Sequence, residues 1–333
     1  MPTNRAHADL PHAGNKGKPT HMKTFIQVTE IWTPNRDRTL LEFHDGLYGD
    51  HPGFGNASRK MCFGYDEGLP GHAWAERRPV ILQDLQHSYF MRAEAARKSG
   101  LTCGVAIPVF AGEFLLAVLV FFCGDDADHV GAIELWHNNP AKSSSMGLVE
   151  GYFGIAESFR FTAQNTQMMR GFGLPGMVWE SGMPEILEDL GHSKRFLRRD
   201  DARKVGINKG LGIPSMALPG QHYVMTFLSA LGTPIARRFE IWVPDQLGAA
   251  LKFRKGECDR NPRFAEDYAG LGVQRDIGLL GRVWTSGVPA VSASIADEIS
   301  PVGTSARKAE LASMVAIPVL DAGRTKAIVA MYF

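Results

Sequence analysis

Two words in the sequence carry paired arginines: Arg92 and Arg97 in YFMRAEAARKSG, and Arg198 and Arg203 in RFLRRDDARKVG. A guanidinium is a planar fork of donors that holds a carboxylate or phosphate by paired hydrogen bonds, so arginines on the wall of a pocket would bind an anion. The second arginine of each pair lies five residues beyond the first, off its helical face. The other chemistry open to these residues is structural: an Arg–Asp pair with Asp84 or Asp189 that locks helix to strand. Phe90 and Phe196 stand two residues before the first arginines. Trp74 and Trp179, further upstream, read as core anchors first and pocket walls second. Asp84 and Asp189 open the words DLQHS and DLGHS, which also hold His87, Ser88, His192 and Ser193. Asp, His and Ser together suggest a nucleophilic triad, but five adjacent residues do not aim all three side chains at one substrate atom. The aspartates are therefore expected as turn or N-cap acceptors and the histidines as surface residues. Neither a G-x-x-x-x-G-K-[ST] phosphate loop nor a G-x-S-x-G elbow occurs.

The elements that must position these residues occur three times. GLPGHAW, from Gly68 to Trp74, returns as GLPGMVW from Gly173 to Trp179 and as GLLGRVW from Gly278 to Trp284. The leading glycines are 105 residues apart at both steps, and Pro79, Pro184 and Pro289 keep the interval. TEIW, IELW and FEIW carry Glu30, Glu134 and Glu240 with Trp32, Trp136 and Trp242, and Pro108, Pro214 and Pro318 recur in AIPV, GIPS and AIPV. Several landmarks in one order, drifting by a single residue, make three copies of one unit. Each copy reads as a hairpin, a short helix over the HAWAERR segment behind a Gly-Pro turn, a strand, a glycine-ended helix and two apolar strands. That succession is an α+β layout with a mainly antiparallel sheet.

The order G-L-P-G-x-x-W, then x-P-x-x-x-x-D-L, then F-x-R-x-x-x-A-R-x-x-G, then A-I-P-V resembles the GAF domain, a sensory module related to PAS domains. Copy one carries it as Gly68 to Gly71, Trp74, Pro79, Asp84-Leu85, Phe90, Arg92, Ala96-Arg97, Gly100 and Ile107-Pro108. Copy two matches with Gly173 to Gly176, Trp179, Pro184, Asp189-Leu190, Phe196, Arg198, Ala202-Arg203, Gly206 and Ile213-Pro214. Copy three keeps Gly278, Gly281, Trp284, Pro289, Ala306-Arg307 and Ile317-Pro318, but has Ser294 for the Asp, Glu310 for the terminal glycine and no Phe-x-Arg. The expected organisation is a flexible tail over 1–23, GAF-like domains over 24–125 and 126–232, and a degenerate one over 233–333. Within the tail, His7, His12 and His21 read as an incidental solvated cluster.

The resemblance implies a six-stranded antiparallel sheet with a ligand pocket between one face and the central helices, the other face resting on helices from the domain's two ends. Only 10 residues separate Phe122 from Ile133 and only 11 separate Phe227 from Phe239. Those terminal helices therefore have no room. The bare sheet faces are expected on a neighbouring unit, on a second chain, or partly exposed. Strand alternation turns Ile31, Leu135 and Ile241 one way and the Glu–Trp pairs the other. The Glu–Trp face reads either as a contact surface or as a solvated face edged by tryptophan.

Among GAF-like proteins, free methionine sulfoxide reductases work through cysteines near the glycine phrase and in the following helix. Pro70, Pro175 and Leu280 stand in place of the phrase cysteine, and neither arginine word contains Cys. That activity is expected to be absent. Bilin-binding relatives attach pigment ten residues before the helix-ending glycine, where this chain has Phe90 and Phe196, so a covalent bilin is not expected. Asn208-Lys209 lacks the downstream Phe-x-x-x-Asp-Glu of cyclic-nucleotide binders. The residues name no cofactor, and a cyclic nucleotide is not expected. Cys62, Cys103, Cys123 and Cys258 stand far apart with no C-x-x-C, which argues against a disulfide scaffold or a zinc clip and for a reducing, cytoplasmic home. Cys103 reads as a buried small apolar residue. With 36 Lys+Arg against 35 Asp+Glu there is no electrostatic footprint for nucleic acid or an anionic membrane. The run FLLAVLVFF is too short to span a bilayer as a helix.

The expected function is a non-enzymatic sensory or regulatory protein whose GAF-like domains bind a small molecule or a partner protein and pass the signal through domain contacts. The alternative is a scaffold whose pockets are filled by side chains and whose sheet faces mediate assembly or self-association. An enzyme on this fold would need a cysteine or metal cluster that the sequence does not show. The repeats run to Phe333 and leave no kinase, cyclase, phosphodiesterase or DNA-binding signature. Output is expected either from a larger regulator or through changed contacts.

Overall fold

Runs of β-branched and aromatic residues, each alternating between two buried surfaces, set the strands of three antiparallel sheets. The computed structural model describes residues 24–124, 130–215, 220–230, 233–295 and 298–333. The tail over 1–23 and its histidines lie outside the described residues. The first unit runs β1 (Ile26–Pro34), β2 (Leu40–Leu47), α1 (Pro52–Ser58), β3 (Cys62–Gly64), α2 (Gly68–Glu76), β4 (Val80–Leu82), α3 (Ala93–Lys98), β5 (Cys103–Ala111) and β6 (Phe114–Cys123). Its sheet order is β3-β2-β1-β6-β5-β4. The second unit repeats this with β7 (Val130–Asn138), β8 (Ser145–Gly154), α4 (Glu157–Gln164), β9 (Met168–Met169), α5 (Gly173–Ser181), β10 (Glu185–Leu187), α6 (Arg199–Val205), β11 (Ile207–Ser215) and β12 (His222–Ala230), in the order β10-β11-β12-β7-β8-β9. The third has β13 (Arg238–Pro244), β14 (Leu251–Cys258), a 3-10 turn over Phe264–Tyr268, α7 (Gly278–Ser286), β15 (Ala290–Ser292), α8 (Pro301–Lys308), β16 (Met314–Asp321) and β17 (Arg324–Tyr332). Its sheet keeps five strands, β14-β13-β17-β16-β15, and the sixth shrinks to a single bridge between Leu251 and Val273.

The glycine phrase is itself the helix, not a turn ahead of one. The sequence reading took Gly and Pro as turn formers, but Pro70 and Pro175 sit in the first turn, where a missing N–H costs nothing. Gly68, Gly173 and Gly278 lead in with φ of +56°, +64° and +65°, the left-handed region that favours glycine. The second glycine serves packing. A Cβ on Gly71, Gly176 or Gly281 would stand 2.1, 2.1 or 2.3 Å from the carbonyl oxygen of Gly64, Met169 or Gln274. The later helices are also shorter than read: α3 and α6 begin only after Arg92 and Arg198, which occupy their N-cap positions.

Among the described residues no helix stands between β6 and β7 or between β12 and β13. The three bare sheet faces meet each other instead. Ile31, Leu135 and Ile241 belong to one core with Phe121, Phe227 and Val329, drawn from all three sheets. Three further cores, one per unit, lie under the helices on the opposite faces. The units close into a ring: β4 packs on β8, β10 on β14, and β15 on β2. This is a head-to-tail contact that closes after three steps, written within one chain. The expectation of packing on a neighbouring unit therefore holds for the isoleucine face. For the Glu–Trp face the expectation is corrected: Glu30, Glu134, Glu240, Trp32, Trp136 and Trp242 are all 0% exposed.

The seams reuse one position with different chemistry. Glu150 on β8 lies opposite Leu135, and Lys255 on β14 lies opposite Ile241. Glu150 accepts the Ile81 N–H at 2.7 Å and the Arg78 guanidinium at 2.9 Å, while Lys255 donates to the Ile186 carbonyl at 2.8 Å. A carboxylate thus caps the edge of β4 and an ammonium the edge of β10. Lys209 adds a second tie between units two and three, 2.6 Å from Glu257 and in contact with Asp259. Asp45, opposite Ile31 in the third seam, is exposed. Glu150→Ala, which strands the Ile81 N–H and Arg78, should cost about 1–3 kcal/mol in denaturant unfolding. Asp45→Ala should stay within about 0.5 kcal/mol of the parent. Equal effects would show that position, not pairing, decides the seam.

Candidate functional site

A glutamate two residues before a tryptophan on a central strand shares that tryptophan's face, so both enter the space under the helices. In the first unit the Trp32 indole N–H donates to Glu30 Oε2 at 3.0 Å, and the Tyr48 hydroxyl donates to Oε1 at 3.1 Å. A buried carboxylate needs a cation, and Arg92 provides it from the start of α3. Its Nη1 meets Oε1 at 2.7 Å and its Nη2 meets Oε2 at 3.0 Å, a two-pronged clamp. Nη1 also donates to the Ser58 hydroxyl, which in turn donates to the Phe54 carbonyl. The rings of Phe54, Phe90, Trp32, Phe122 and Phe63 surround the guanidinium carbon at 4.7–5.8 Å.

The second unit repeats the clamp. Arg198 meets the two oxygens of Glu134 at 2.5 and 2.8 Å, Trp136 donates to Oε2 at 2.9 Å and so does Thr226 at 2.9 Å. Phe159, Trp136 and Phe196 line the guanidinium at 4.5–5.3 Å. The third unit, which lacks Phe-x-Arg, rebuilds the site from another element. Arg238 lies two residues before Glu240 on β13 and meets its Oε1 at 3.2 Å, while Trp242, Tyr268 and Tyr332 donate to the same carboxylate at 2.9, 2.7 and 2.6 Å. Ser305 accepts from Arg238 through its hydroxyl at 3.1 Å and its carbonyl at 3.3 Å. Burial pushes the Glu240 carboxyl above its ordinary range, with Arg238 and the three donors pulling the other way. Burial and the adjacent Glu240 push the Tyr268 and Tyr332 hydroxyls up, which keeps both as neutral donors.

The residues singled out in the sequence separate into two sets. Phe90, Arg92, Phe196 and Arg198 come together in the clamps. Arg97 and Arg203 are exposed and pair along their own helices with Glu94 at 3.7 Å and Asp200 at 3.1 Å. Asp84 and Asp189 are exposed and take no part in an Arg–Asp lock, because the clamping carboxylate comes from the central strand. Asp84 accepts the backbone N–H of Gln86 and of His87, as a turn residue should, and the His87 ring with those N–H groups holds its carboxyl below the usual value. Asp189 meets His192 at 2.8 Å. Trp74 and Trp179 are half-buried against the cores of their units, beside Tyr65 and His222, and stay outside the clamps. Sequence reasoning missed Glu30, Glu134 and Glu240 as clamp partners and missed Arg238 altogether. The signal for Arg238 was its spacing of two from Glu240 in ARRFEIW, which places both on one face.

Open space lies outside the clamps. A cleft of about 810 Å³ runs between α1 and α3 of the first unit, lined by His51, Pro52, Met61, Met91, Arg92 and Lys98 among others. A groove of about 980 Å³ lies where the first unit meets the third, beside Thr29, Tyr48 and Phe333. Among the described residues no group of three or more His, Cys, Asp or Glu side chains could hold a metal, and no helix is long and apolar enough to cross a membrane. Removing one partner of a fully buried ion pair costs about 3–5 kcal/mol, whereas replacing both by apolar groups of similar volume is often neutral. Arg92→Met should therefore be strongly destabilising in denaturant unfolding, and the double change Glu30→Leu, Arg92→Met should be less so. A double variant worse than the single one would mean that the pair stabilises on its own account.

Residues 27–136 match the GAF domain family. Similar solved structures include the GAF domain of Nlh2 from A. aeolicus in an inactive state, 19% identical over 30% of this chain and 59% of that one, with a TM-score of 0.25. A GAF domain region of a putative membrane protein from Geobacter sulfurreducens is 18% identical over 30% and 64%, with a TM-score of 0.25. A free methionine-R-sulfoxide reductase from Neisseria meningitidis, in complex with its substrate, is 14% identical over 29% and 52%, with a TM-score of 0.24. The chain spans between half and two thirds of the length of these three structures. No curated protein matches.

Proposed function

We propose, from the match of residues 27–136 to the GAF domain family and the recurrence of one sheet order in three units, a regulatory protein without chemistry of its own. Its first unit takes a small molecule in the cleft between α1 and α3, and the second and third units serve as the frame that the signal bends. The observation that carries this reading is Arg92, which lines the cleft and at the same time clamps Glu30. Glu30 sits on β1 next to Ile31, and Ile31 belongs to the core that all three sheets share. A ligand that draws on Arg92 would reach that core through one strand. Cytoplasmic residence belongs to the same reading and rests on the sparse, scattered cysteines.

A scaffold without ligand is the second reading. It is favoured by the clamps themselves, which fill the space under the helices in every unit.

Native mass spectrometry of the purified protein against its denatured mass, with a thermal-shift screen of small metabolites, separates the two. On the regulatory reading a ligand is retained or raises the melting temperature. Met91→Trp, which blocks the cleft from an exposed position, then removes that shift and leaves the unliganded melting temperature unchanged. No retained mass and no responding metabolite would leave the scaffold.

A further inference from the structure

The closing hairpin of the first unit sets two cysteines opposite each other. Cys103 opens β5, Cys123 ends β6, and the register makes them direct partners. Opposed residues of an antiparallel pair lie on one face with Cα atoms about 4.5–5.5 Å apart. A disulfide needs about 4.4–6.8 Å. Both residues stand as thiols, both are fully buried, and both belong to the core shared by the three sheets. Their backbone is fixed on two sides: the Thr102 N–H donates to the Cys123 carbonyl at 2.9 Å, and Cys123 also pairs with Ile26 on β1. The equivalent place holds Lys209 opposite Ser229 in the second unit and Ser313 opposite Phe333 in the third, where each backbone N–H donates to the other's carbonyl. Neither of those units sets two sulfurs there, so the fold itself does not call for a cysteine pair. Cys62 is exposed on β3 and Cys258 lies in the third unit's own core, away from the pair.

We propose that Cys103 and Cys123 form a buried oxidisable dithiol, a modification site that closes to a cross-strand disulfide when a hydroperoxide reaches it. One thiolate attacks the terminal peroxide oxygen, the O–O bond breaks, and the alcohol or a water leaves after protonation. The sulfenic acid so formed is attacked by the second sulfur: the S–S bond forms, the S–O bond breaks and water leaves. Two thiols give up two electrons and two protons, and the peroxide takes both. The bond would tie the ends of β5 and β6 together immediately before the chain leaves the first unit for the second.

The full-length protein is exposed to hydrogen peroxide, quenched, then alkylated under denaturing conditions and digested. Untreated protein takes up four alkyl groups, one for each cysteine. After treatment the expected result is a peptide pair joined through Cys103 and Cys123 that reductant releases, with alkylation of Cys258 retained. Cys103→Ser should abolish the joined pair. Full alkylation of Cys103 and Cys123 after peroxide, oxidation confined to Cys62, or a sulfinic acid at either buried position without the joined pair would overturn the proposal.

Discussion

Three carboxylates buried on the central strands set the terms for the rest of the molecule. Glu30, Glu134 and Glu240 have no contact with solvent, and a carboxylate so placed is tolerated only with a cation and a full set of donors. Each unit meets that demand with an arginine, a tryptophan and hydroxyl groups. The first two units draw the arginine from the start of the third helix in the repeat, where it also fixes how that segment approaches the sheet. The third draws it from the strand itself and makes up the remaining donors with two tyrosines. The constraint is therefore the buried charge, and the sequence around it is free to vary as long as the charge is answered.

The opposite face of the same strands explains why three units stay together. The residue between Glu and Trp in each unit points into a core to which all three sheets contribute. A domain of this size with one sheet face bare would expose a large apolar patch. Closing three of them into a ring removes it, and polar ties such as Glu150 to Ile81 and Lys255 to Ile186 cap the edge strands of two seams. Clamp and ring share one strand in each unit, so a disturbance on one side has a short path to the other.

Much of this was legible in the sequence because repetition magnifies weak signals. Three copies of the glycine phrase and of the Glu-x-Trp word gave the units, the α+β layout and the alternation of the hairpin strands. The faces were read correctly as opposed, but the character of the Glu–Trp face was not. Glutamate beside tryptophan looks like a wet surface when its arginine lies 62 residues away, and only the fold brings Arg92 to Glu30. The glycine phrase misled for a local reason: Gly and Pro form turns, yet in a first helical turn Pro lacks only a donor that would be unpaired, and Gly71 is required by a carbonyl oxygen. Asp84 and Asp189 drew notice because they recur, but what recurs there is a turn.

The most direct measurement is a double-mutant cycle on the third unit's rebuilt clamp, using Arg238→Leu, Glu240→Leu and the pair together in denaturant unfolding. If the buried charge is the shared constraint, the two residues couple by more than about 0.5 kcal/mol and by as much as about 3 kcal/mol, although this arginine comes from a different element. Additive effects, with a coupling near zero, would contradict it and leave Arg238 as a packing residue that happens to lie beside a glutamate.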